Sequence, residues 1–235
     1  MMIRALLLDV DGTLYHQRPL QALMAAELAV QPVVSGRFWR APKLWRMLST
    51  FRHVREELRA RGAVSEPLAD LQYTAAADRA GVDADEMRRI VSEWIYRRPL
   101  KYLTRVRRHA TVDVLSGLRA RGLQVGVFSD YPAMDKLTAM GLRPHVTLAL
   151  DATDERVNAF KPHPRGLLAA CEAWGLAPDE VLYVGDRPDV DAGCASRAGM
   201  PCAIFVKSRP ADAGSFVAIK TMPELTALVG DGSRR

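Results

Sequence analysis

Residues 3–13 read IRALLLDVDGT, and this stretch decides the fold. The apolar run Ala5–Leu8 continues without a break to Asp9, and the turn-forming residues Asp11, Gly12 and Thr13 follow. A short apolar run that is bounded by such residues is typical of a strand buried on both faces. We therefore predict a buried strand here, with acidic residues at its carboxyl end.

Similar apolar runs recur later in the chain, and helical patterns of about ten residues separate them. The strand-like runs are residues 123–128, 146–150, 181–184 and 203–206, and the helical patterns are residues 111–121, 133–140, 164–174 and 191–198. Strands that alternate with helices in this way indicate a parallel sheet covered on both faces. The predicted fold class is α/β, with a Rossmann-like doubly wound core.

Residues 16–108 follow a different pattern, with several helical faces and no convincing strand. Apolar residues recur at helical spacing, and the arginines Arg46, Arg52, Arg55 and Arg59 lie largely off that face; the apolar positions are Leu44, Met47 or Leu48, Phe51, Val54 and Leu58. Residues 83–86 resemble a capping box that opens a further helix. These patterns predict an all-helical insertion after the first strand.

The composition is that of a soluble globular protein. Hydrophobic residues make up 49% of the 235 residues and charged residues 26%, which argues against a disordered chain. No stretch reaches the roughly 18 apolar residues of a membrane span, and residues 5–8 are too few for a signal peptide. Three cysteines without metal-ligand spacing fit a reducing compartment. We therefore expect a cytoplasmic protein.

The excess positive charge lies entirely in the predicted insertion. Residues 16–108 hold 18 Lys and Arg against 10 Asp and Glu, and the rest of the chain holds 15 against 17. Aromatic and basic residues interleave there, which suggests a surface for an anionic substrate tail or an acidic membrane; the basic residues are Arg37, Arg40, Lys43 and Arg46. A solvated helix face is the simpler interpretation. Nucleic acid fits least, since no binding module is recognisable.

Polar residues follow several predicted strands at the point where each strand ends. In an open parallel sheet the carboxyl ends of the strands meet at one edge, and ligands bind there. The residues placed together in this way are Asp9 and Asp11, Ser129 and Asp130, Asp186, Asp189 and Asp191, and Lys161 in the loop of residues 160–164.

These residue types suit the chemistry of a phosphate ester. Clustered carboxylates repel unless a cation holds them, and carboxylates without histidine or cysteine are typical ligands of Mg²⁺. The Lys161 ammonium and the Ser129 hydroxyl can bind phosphoryl oxygens. One carboxylate can attack phosphorus and a second can move the proton. Each feature alone is ordinary turn or cap chemistry, and only their conjunction is informative.

That conjunction resembles the four motifs of the haloacid dehalogenase superfamily, in the branch of phosphoglycolate phosphatase and β-phosphoglucomutase. The motifs are Asp9-Val10-Asp11-Gly12-Thr13, Phe128-Ser129-Asp130, Lys161-Pro162 and the run of residues 184–191. The resemblance implies a catalytic core of residues 1–15 and 109–235 and a helical cap domain of residues 16–108.

The resemblance also assigns roles. It implies that Asp9 is the nucleophile and that Asp11 is the general acid/base, whose backbone carbonyl binds the metal. It places Mg²⁺ on Asp9, Asp11, Asp186 and Asp191, and phosphate on Ser129, Lys161 and Gly12. Asp130 stands where asparagine is common, and its role is open. Asp189 competes with Asp191 as second acid of the last motif, and the spacing of five from Asp186 favours Asp191.

The expected function is a Mg²⁺-dependent phosphatase that hydrolyses a small phosphorylated metabolite through an aspartyl-phosphate. By this resemblance, dehalogenases of the superfamily have no acid two residues after the nucleophile, where this chain has Asp11. The acid at this position therefore favours phosphoryl transfer. A phosphomutase or phosphotransferase that acts on a sugar phosphate is the first alternative, and a catalytically silent binding protein is the second. A phosphate-receiving signalling domain fits the length and the insertion poorly.

Overall fold

A parallel sheet forms the centre of the molecule. The computed structural model describes residues 2–34, 41–209 and 214–230. Within these residues the sheet has six strands in the order β3-β2-β1-β4-β5-β6. The strands are β1 (Ala5–Leu8), β2 (Gln124–Ser129), β3 (Leu148–Asp151), β4 (Val181–Gly185), β5 (Cys202–Phe205) and β6 (Val217–Ile219). The predicted doubly wound α/β fold is confirmed, and the strand order reverses between β1 and β4.

Strand β1 lies between β2 and β4, and this register places its carboxyl end at the reversal. Leu8 pairs with Val127 of β2 and with Val184 of β4. Successive side chains of a strand point to opposite faces, so Leu6 and Leu8 pack on one face of the sheet while Ala5 and Leu7 pack on the other. The unbroken apolar run of β1 is thus needed to fill two cores.

Helices cover both faces of the sheet. On the face of Leu6 and Leu8 the core includes residues of α6 (Thr111–Ala120), α7 (Met134–Ala139) and α10 (Glu224–Leu228). On the other face it includes residues of α8 (Arg165–Trp174) and α9 (Gly193–Ala198). The three cysteines are free and buried, and they lie on this second face.

Between β1 and α6 the described residues form a helical insertion, residues 17–106, whose buried cluster also takes in Ala152 and Phe160 from outside it. Its helices are α1 (Gln17–Val34), α2 (Ala41–Arg61), α3 (Leu68–Ala80), α4 (Ala84–Val91) and α5 (Leu100–Val106), with a π-helical turn at Ser92–Arg97. The Asp83 side chain accepts the backbone N–H groups of Asp85 and Glu86 and so caps α4.

Helix α2 buries the apolar face that its spacing predicts, but it also buries Arg55. The prediction that the arginines of this helix lie off the apolar face is wrong for two of them, because Arg55 is only 2% exposed and the Arg59 side chain only 13%. The Arg55 guanidinium lies over the rings of Tyr131 and Phe160, two residues outside the insertion. A charge can be buried there because it meets aromatic rings and hydrogen-bond acceptors.

Two antiparallel chain segments connect the insertion to the sheet. Tyr15 and Arg107 form a bridge; the His16 N–H donates to the Val106 carbonyl at 2.9 Å, and the Arg108 N–H donates to the Leu14 carbonyl at 3.0 Å. The insertion therefore leaves and rejoins the sheet at one place, next to the residues that follow β1. None of the described helices is both long and apolar enough to cross a membrane.

Candidate active site

Three carboxylates meet at the carboxyl ends of β1 and β4. Asp9 follows β1 directly, Asp186 follows β4, and Asp191 lies in a π-helical turn, Pro188–Ala192. One oxygen of each lies within 4.8 Å of the others. Because β1 and β4 are adjacent parallel strands, the sheet itself brings these acids together, at the edge where the sequence predicts them.

Lys161 lies among these acids and is 3% exposed. Its Nζ donates to Asp9 Oδ1 at 2.5 Å and to Asp191 Oδ1 at 2.8 Å. Burial opposes the charged form of this lysine, but Asp191 and Asp9 hold its pKa well above the usual value. A permanent ammonium therefore lies against the candidate nucleophile.

Asp191 is fixed by donors on both oxygens. Oδ1 accepts the Tyr183 hydroxyl at 3.0 Å, and Oδ2 accepts the backbone N–H groups of Asp186 and Arg187 at 3.1 and 3.0 Å. Burial would raise its pKa, but Lys161 holds it below the usual value. Asp189 is exposed and pairs with Arg187 instead. The structure therefore places Asp191 in the acidic cluster and Asp189 outside it.

The Asp11 carboxylate lies apart from this cluster and has its own lysine. Lys136 Nζ donates to both of its oxygens, at 2.5 and 2.8 Å, and the hydroxyls of Tyr15 and Ser129 donate as well. Burial would raise the pKa of Asp11, but Lys136 and these hydrogen bonds hold it below the usual value. Asp9 and Asp11, two positions apart, thus occupy two separate charged environments.

The acidic cluster fits a hard divalent cation. Burial raises the pKa of Asp9, Lys161 opposes the rise, and the charges of Asp191, Asp11 and Asp186 reinforce it. Burial, followed by the charge of Asp191, raises the pKa of Asp186 to about 6. Asp186 Oδ1 is buried without a hydrogen-bond partner among the described residues. A cation would satisfy this oxygen and remove the repulsion that resists ionisation.

Gly12 allows the loop after β1 to approach Asp186. Its φ is +103°, and a Cβ at this position would lie 2.2 Å from Asp186 Oδ2. Arg108 fixes the same loop, because its Nε donates to the Thr13 carbonyl and its Nη2 to the Gly12 carbonyl, both at 2.8 Å. The backbone of residues 12–13 therefore lies firmly against the acidic cluster.

Ser129, the last residue of β2, and Asp130, which follows it, have different partners. Ser129 is fully buried, and its hydroxyl donates to Asp11 Oδ2 at 3.1 Å. Asp130 Oδ1 accepts the Lys161 backbone N–H at 3.1 Å, and Oδ2 pairs with Arg59 at 2.8 Å. Asp130, whose role the sequence leaves open, thus connects the loop of Ser129 with the loop of Lys161.

Two of the four basic residues predicted to bind substrate, Lys43 and Arg46, lie elsewhere. Lys43 pairs with Glu86 at 2.7 Å, and Arg46 donates to the Ala80 carbonyl at 3.4 Å, both on the exposed surface of the insertion. Arg37 and Arg40 lie outside the described residues. The contacts of Lys43 and Arg46 are those of a solvated helix face, and substrate binding there stays a prediction.

The sequence prediction missed four residues around the site: Lys136, Tyr15, Tyr183 and Arg108. Lys136 had a signal, because it interrupts the apolar face that Ala133, Leu137 and Met140 form on the predicted helix. Tyr183 brings a hydroxyl into a fully buried strand. A buried polar group needs a partner, so both positions could have been recognised. Tyr15 and Arg108 carry no comparable local signal.

Comparisons with known proteins agree with this geometry. Residues 3–199 match the family described as haloacid dehalogenase-like hydrolases. The phosphoserine phosphatase of Thermus thermophilus is 28% identical over 221 residues, which cover 84% of this chain and 86% of that protein. The phosphoglycolate phosphatase of Shigella boydii is 30% identical over 219 residues, which cover 85% and 79%.

The fold is also similar to that of a solved structure. The 2-haloacid dehalogenase from Pseudomonas syringae superposes with a TM-score of 0.66 at 24% identity, over 97% of this chain and 100% of that one. The sheet, with the acidic cluster and the buried lysine at its carboxyl edge, defines a doubly wound α/β protein with its site where such folds bind ligands. The match over residues 3–199 shows that the chain belongs to the haloacid dehalogenase-like hydrolase family, and the resemblance seen in the sequence is confirmed.

Proposed function

We propose that this protein is a Mg²⁺-dependent phosphatase that hydrolyses a small phosphorylated metabolite through an aspartyl-phosphate on Asp9. The observation that carries the proposal is the pair of separate environments for Asp9 and Asp11. Asp9 lies against Lys161 in the acidic cluster, whereas Asp11 lies against Lys136 beside Ser129. Two carboxylates in different surroundings can take the two roles that phosphoryl transfer requires.

In the first half of the reaction, an Asp9 oxygen attacks phosphorus while the bond to the leaving oxygen breaks. Lys161 and Ser129 bind the phosphoryl oxygens. Asp11, which Lys136 holds ionised in the free protein, takes up the proton that a phosphate monoanion carries and gives it to the leaving oxygen. In the second half, Asp11 takes a proton from water, whose oxygen attacks phosphorus and releases Asp9. The low pKa of Asp11, set by Lys136 against the effect of burial, suits the base of this second half.

Asp9 and Asp186 would hold the Mg²⁺ ion, with Asp191 supporting the site, because these three residues form the cluster. The bound ion would supply positive charge that offsets the repulsion between carboxylates and phosphate. Lys161 adds a second positive charge, which the protein holds permanently. Asp191 keeps Lys161 in place through its own four hydrogen bonds.

The relatives support hydrolysis of a phosphate ester, since two of them carry phosphatase names. Asp11 supports it independently, because a dehalogenase has no leaving oxygen that needs a proton. A phosphomutase would use the same first half and pass the phosphoryl group to a sugar. A catalytically silent protein would not need the buried ion pair between Lys161 and Asp9.

In this proposal residues 16–108 act as a cap over a core made of residues 1–15 and 109–235. The insertion is helical and packs against Ala152 and Phe160 of the core, and its two connections run side by side next to the site. Side chains of the cap would then select the leaving group. We also propose that the protein is located in the cytoplasm, and its free cysteines are consistent with that reducing compartment.

The experiment is a screen of phosphorylated metabolites for release of inorganic phosphate, with Mg²⁺ and with excess chelator. We expect phosphate release from at least one small ester, only with the ion present. The same screen on the Asp9→Asn variant controls for contaminating phosphatases. Transfer to a sugar without phosphate release would favour the phosphomutase, and no turnover of any ester would favour a binding protein.

A further inference from the structure

Two arginines of α2 reach out of the helical insertion to the loops that carry Ser129 and Lys161. Arg55 Nη2 donates to the Asp130 carbonyl at 2.6 Å, and Nη1 donates to the Gln72 side chain. Its guanidinium carbon lies 3.9 Å from the ring centre of Tyr131 and 4.4 Å from that of Phe160. Arg55 is therefore held by the residues next to Ser129 and next to Lys161.

Arg59 lies one helical turn further along and makes the second contact. Its Nη1 donates to the Lys161 carbonyl at 2.7 Å and lies 2.8 Å from Asp130 Oδ2. One guanidinium nitrogen thus contacts both loops at once. Because residues four apart share one face of a helix, α2 presents Arg55 and Arg59 to the sheet as a rigid pair.

Asp130 joins the two loops beneath this pair. Its Oδ1 accepts the backbone N–H of Lys161 at 3.1 Å, while Oδ2 pairs with Arg59. Asp130 follows Ser129 directly in the chain, so the distance between the Ser129 hydroxyl and the Lys161 ammonium depends on this junction. Arg59 also pairs with Glu56, but removal of Arg59 would leave the mostly buried Asp130 carboxylate without its charged partner.

A separate contact ties the same loop to the insertion. The Asn158 side chain accepts the Leu68 N–H at 2.7 Å and donates to the carbonyls of Val64 at 3.2 Å and Glu66 at 3.0 Å. The segment from Asn158 to Lys161 is thus held at both ends by the insertion. The loop that carries Lys161 is therefore held by contacts with the insertion as well as by its connection to the sheet.

We propose that Arg55 and Arg59 are positioning residues, through which α2 sets the spacing of Ser129 and Lys161 at the phosphate. This inference rests on the proposed function. Neither arginine contacts the acidic cluster in the structure, and all of their hydrogen-bond acceptors within the loops are Asp130 or backbone carbonyls. The arginines thus act on the reaction through Asp130 and Lys161, and a displacement of about 1 Å can cost on the order of 10² in rate.

The experiment compares Arg59→Met, Arg59→Lys and Asp130→Asn with a control, Arg79→Met. Arg79 of α3 makes a bidentate pair with Glu57 of α2, at 2.6 and 2.8 Å, on the exposed surface of the insertion. The measurements are kcat and KM on para-nitrophenyl phosphate with Mg²⁺, binding of inorganic phosphate by calorimetry, and thermal melting.

We expect Arg59→Met to lower kcat about 30-fold to 10²-fold and to weaken phosphate binding about tenfold, while the protein still melts cooperatively. Arg59→Lys should recover part of the loss, because an ammonium can still reach Asp130. Combining Arg59→Met with Asp130→Asn should cost little more than either change, since both break one junction. The Arg79→Met control should match the parent.

Values of kcat and phosphate affinity within about threefold of the parent in both Arg59→Met and Asp130→Asn would overturn the proposal. Should Arg59→Met fail to fold, the nearly isosteric Asp130→Asn decides alone. Loss in the Arg79→Met control as large as in Arg59→Met would reduce the effect to general stability of the insertion and would also overturn it. A parent protein that releases no phosphate from any ester contradicts the proposed function instead, and it removes the basis of this inference.

Discussion

Lys136 Nζ lies 2.5 Å from Asp11 Oδ1 and 2.8 Å from Oδ2, so one ammonium contacts both oxygens of the candidate acid/base. The two residues are 125 positions apart in the chain. Lys136 is 5% exposed, and burial around the pair strengthens the attraction. Lys136 therefore fixes both the orientation and the charge of Asp11 before any substrate binds.

Replacing Lys136 with methionine should lower kcat on para-nitrophenyl phosphate by about 10-fold to 10²-fold, with a smaller change in KM. The reason is that Asp11 loses its orientation, while Lys161 and Ser129 still bind the phosphate. Steady-state kinetics of the two proteins measure the effect. Lys101→Met is the matched control, since Lys101 pairs with Glu27 on the surface. An unchanged kcat would remove Lys136 from the reaction.

Replacing Asp9 with asparagine should reduce turnover by about 10³-fold or more in a protein that remains folded. An amide is a poor nucleophile and a poor metal ligand, and it also loses the charge that pairs with Lys161. Phosphate release from an aryl phosphate, measured beside a thermal melt, tests this expectation. Turnover within about tenfold of the parent would show that Asp9 is not the nucleophile.

Replacing Asp11 with asparagine should depress hydrolysis of alkyl phosphates more than hydrolysis of esters with good leaving groups, since only the former need a proton. Aspartyl-phosphate should also accumulate, because water loses its base. Rapid quench followed by mass measurement of the protein detects the intermediate. Equal loss on both ester types, without accumulation, would assign Asp11 a structural role.

The acidic cluster predicts a linked effect of metal and pH on stability. Burial and Asp191 raise the pKa of Asp186 from 3.8 to about 6. Between these values the folded carboxyl keeps a proton that the unfolded one has lost, so this group lowers the stability of metal-free protein as pH rises from about 4 to about 6. In chelator, Asp186→Asn should therefore gain on the order of 2 kcal/mol relative to the parent across that range.

Adding Mg²⁺ should make the parent more stable to unfolding than Asp186→Asn. The parent should gain about 2.7 kcal/mol at an ion concentration about 100 times the dissociation constant, and Asp186→Asn should gain much less. Urea unfolding at several pH values, with chelator and with Mg²⁺, measures both effects. Equal stabilisation of the two proteins by Mg²⁺ would show that Asp186 is not a ligand.

The sequence predicts the sheet well because the pattern that specifies a buried strand is local. Strands β1 to β5 fall on the five apolar runs, and the acids of the site follow the carboxyl ends of β1, β2 and β4. Strand β6 (Val217–Ile219) is not predicted from the sequence, because it has only three residues and the first of them is exposed. Its pairing with β5 is a contact between segments rather than a property of the run.

The sequence by itself determined which residues lie at the carboxyl ends of the strands, where the candidate active site is. Strand periodicity and turn propensity depend on neighbouring residues, so a local pattern is enough to predict them. The tertiary structure decided which charges meet there. Lys136 finds Asp11, and Arg55 of the insertion finds the carbonyl of Asp130, across 125 and 75 positions. A buried charge needs a partner, but only the packed chain settles which one lies within reach.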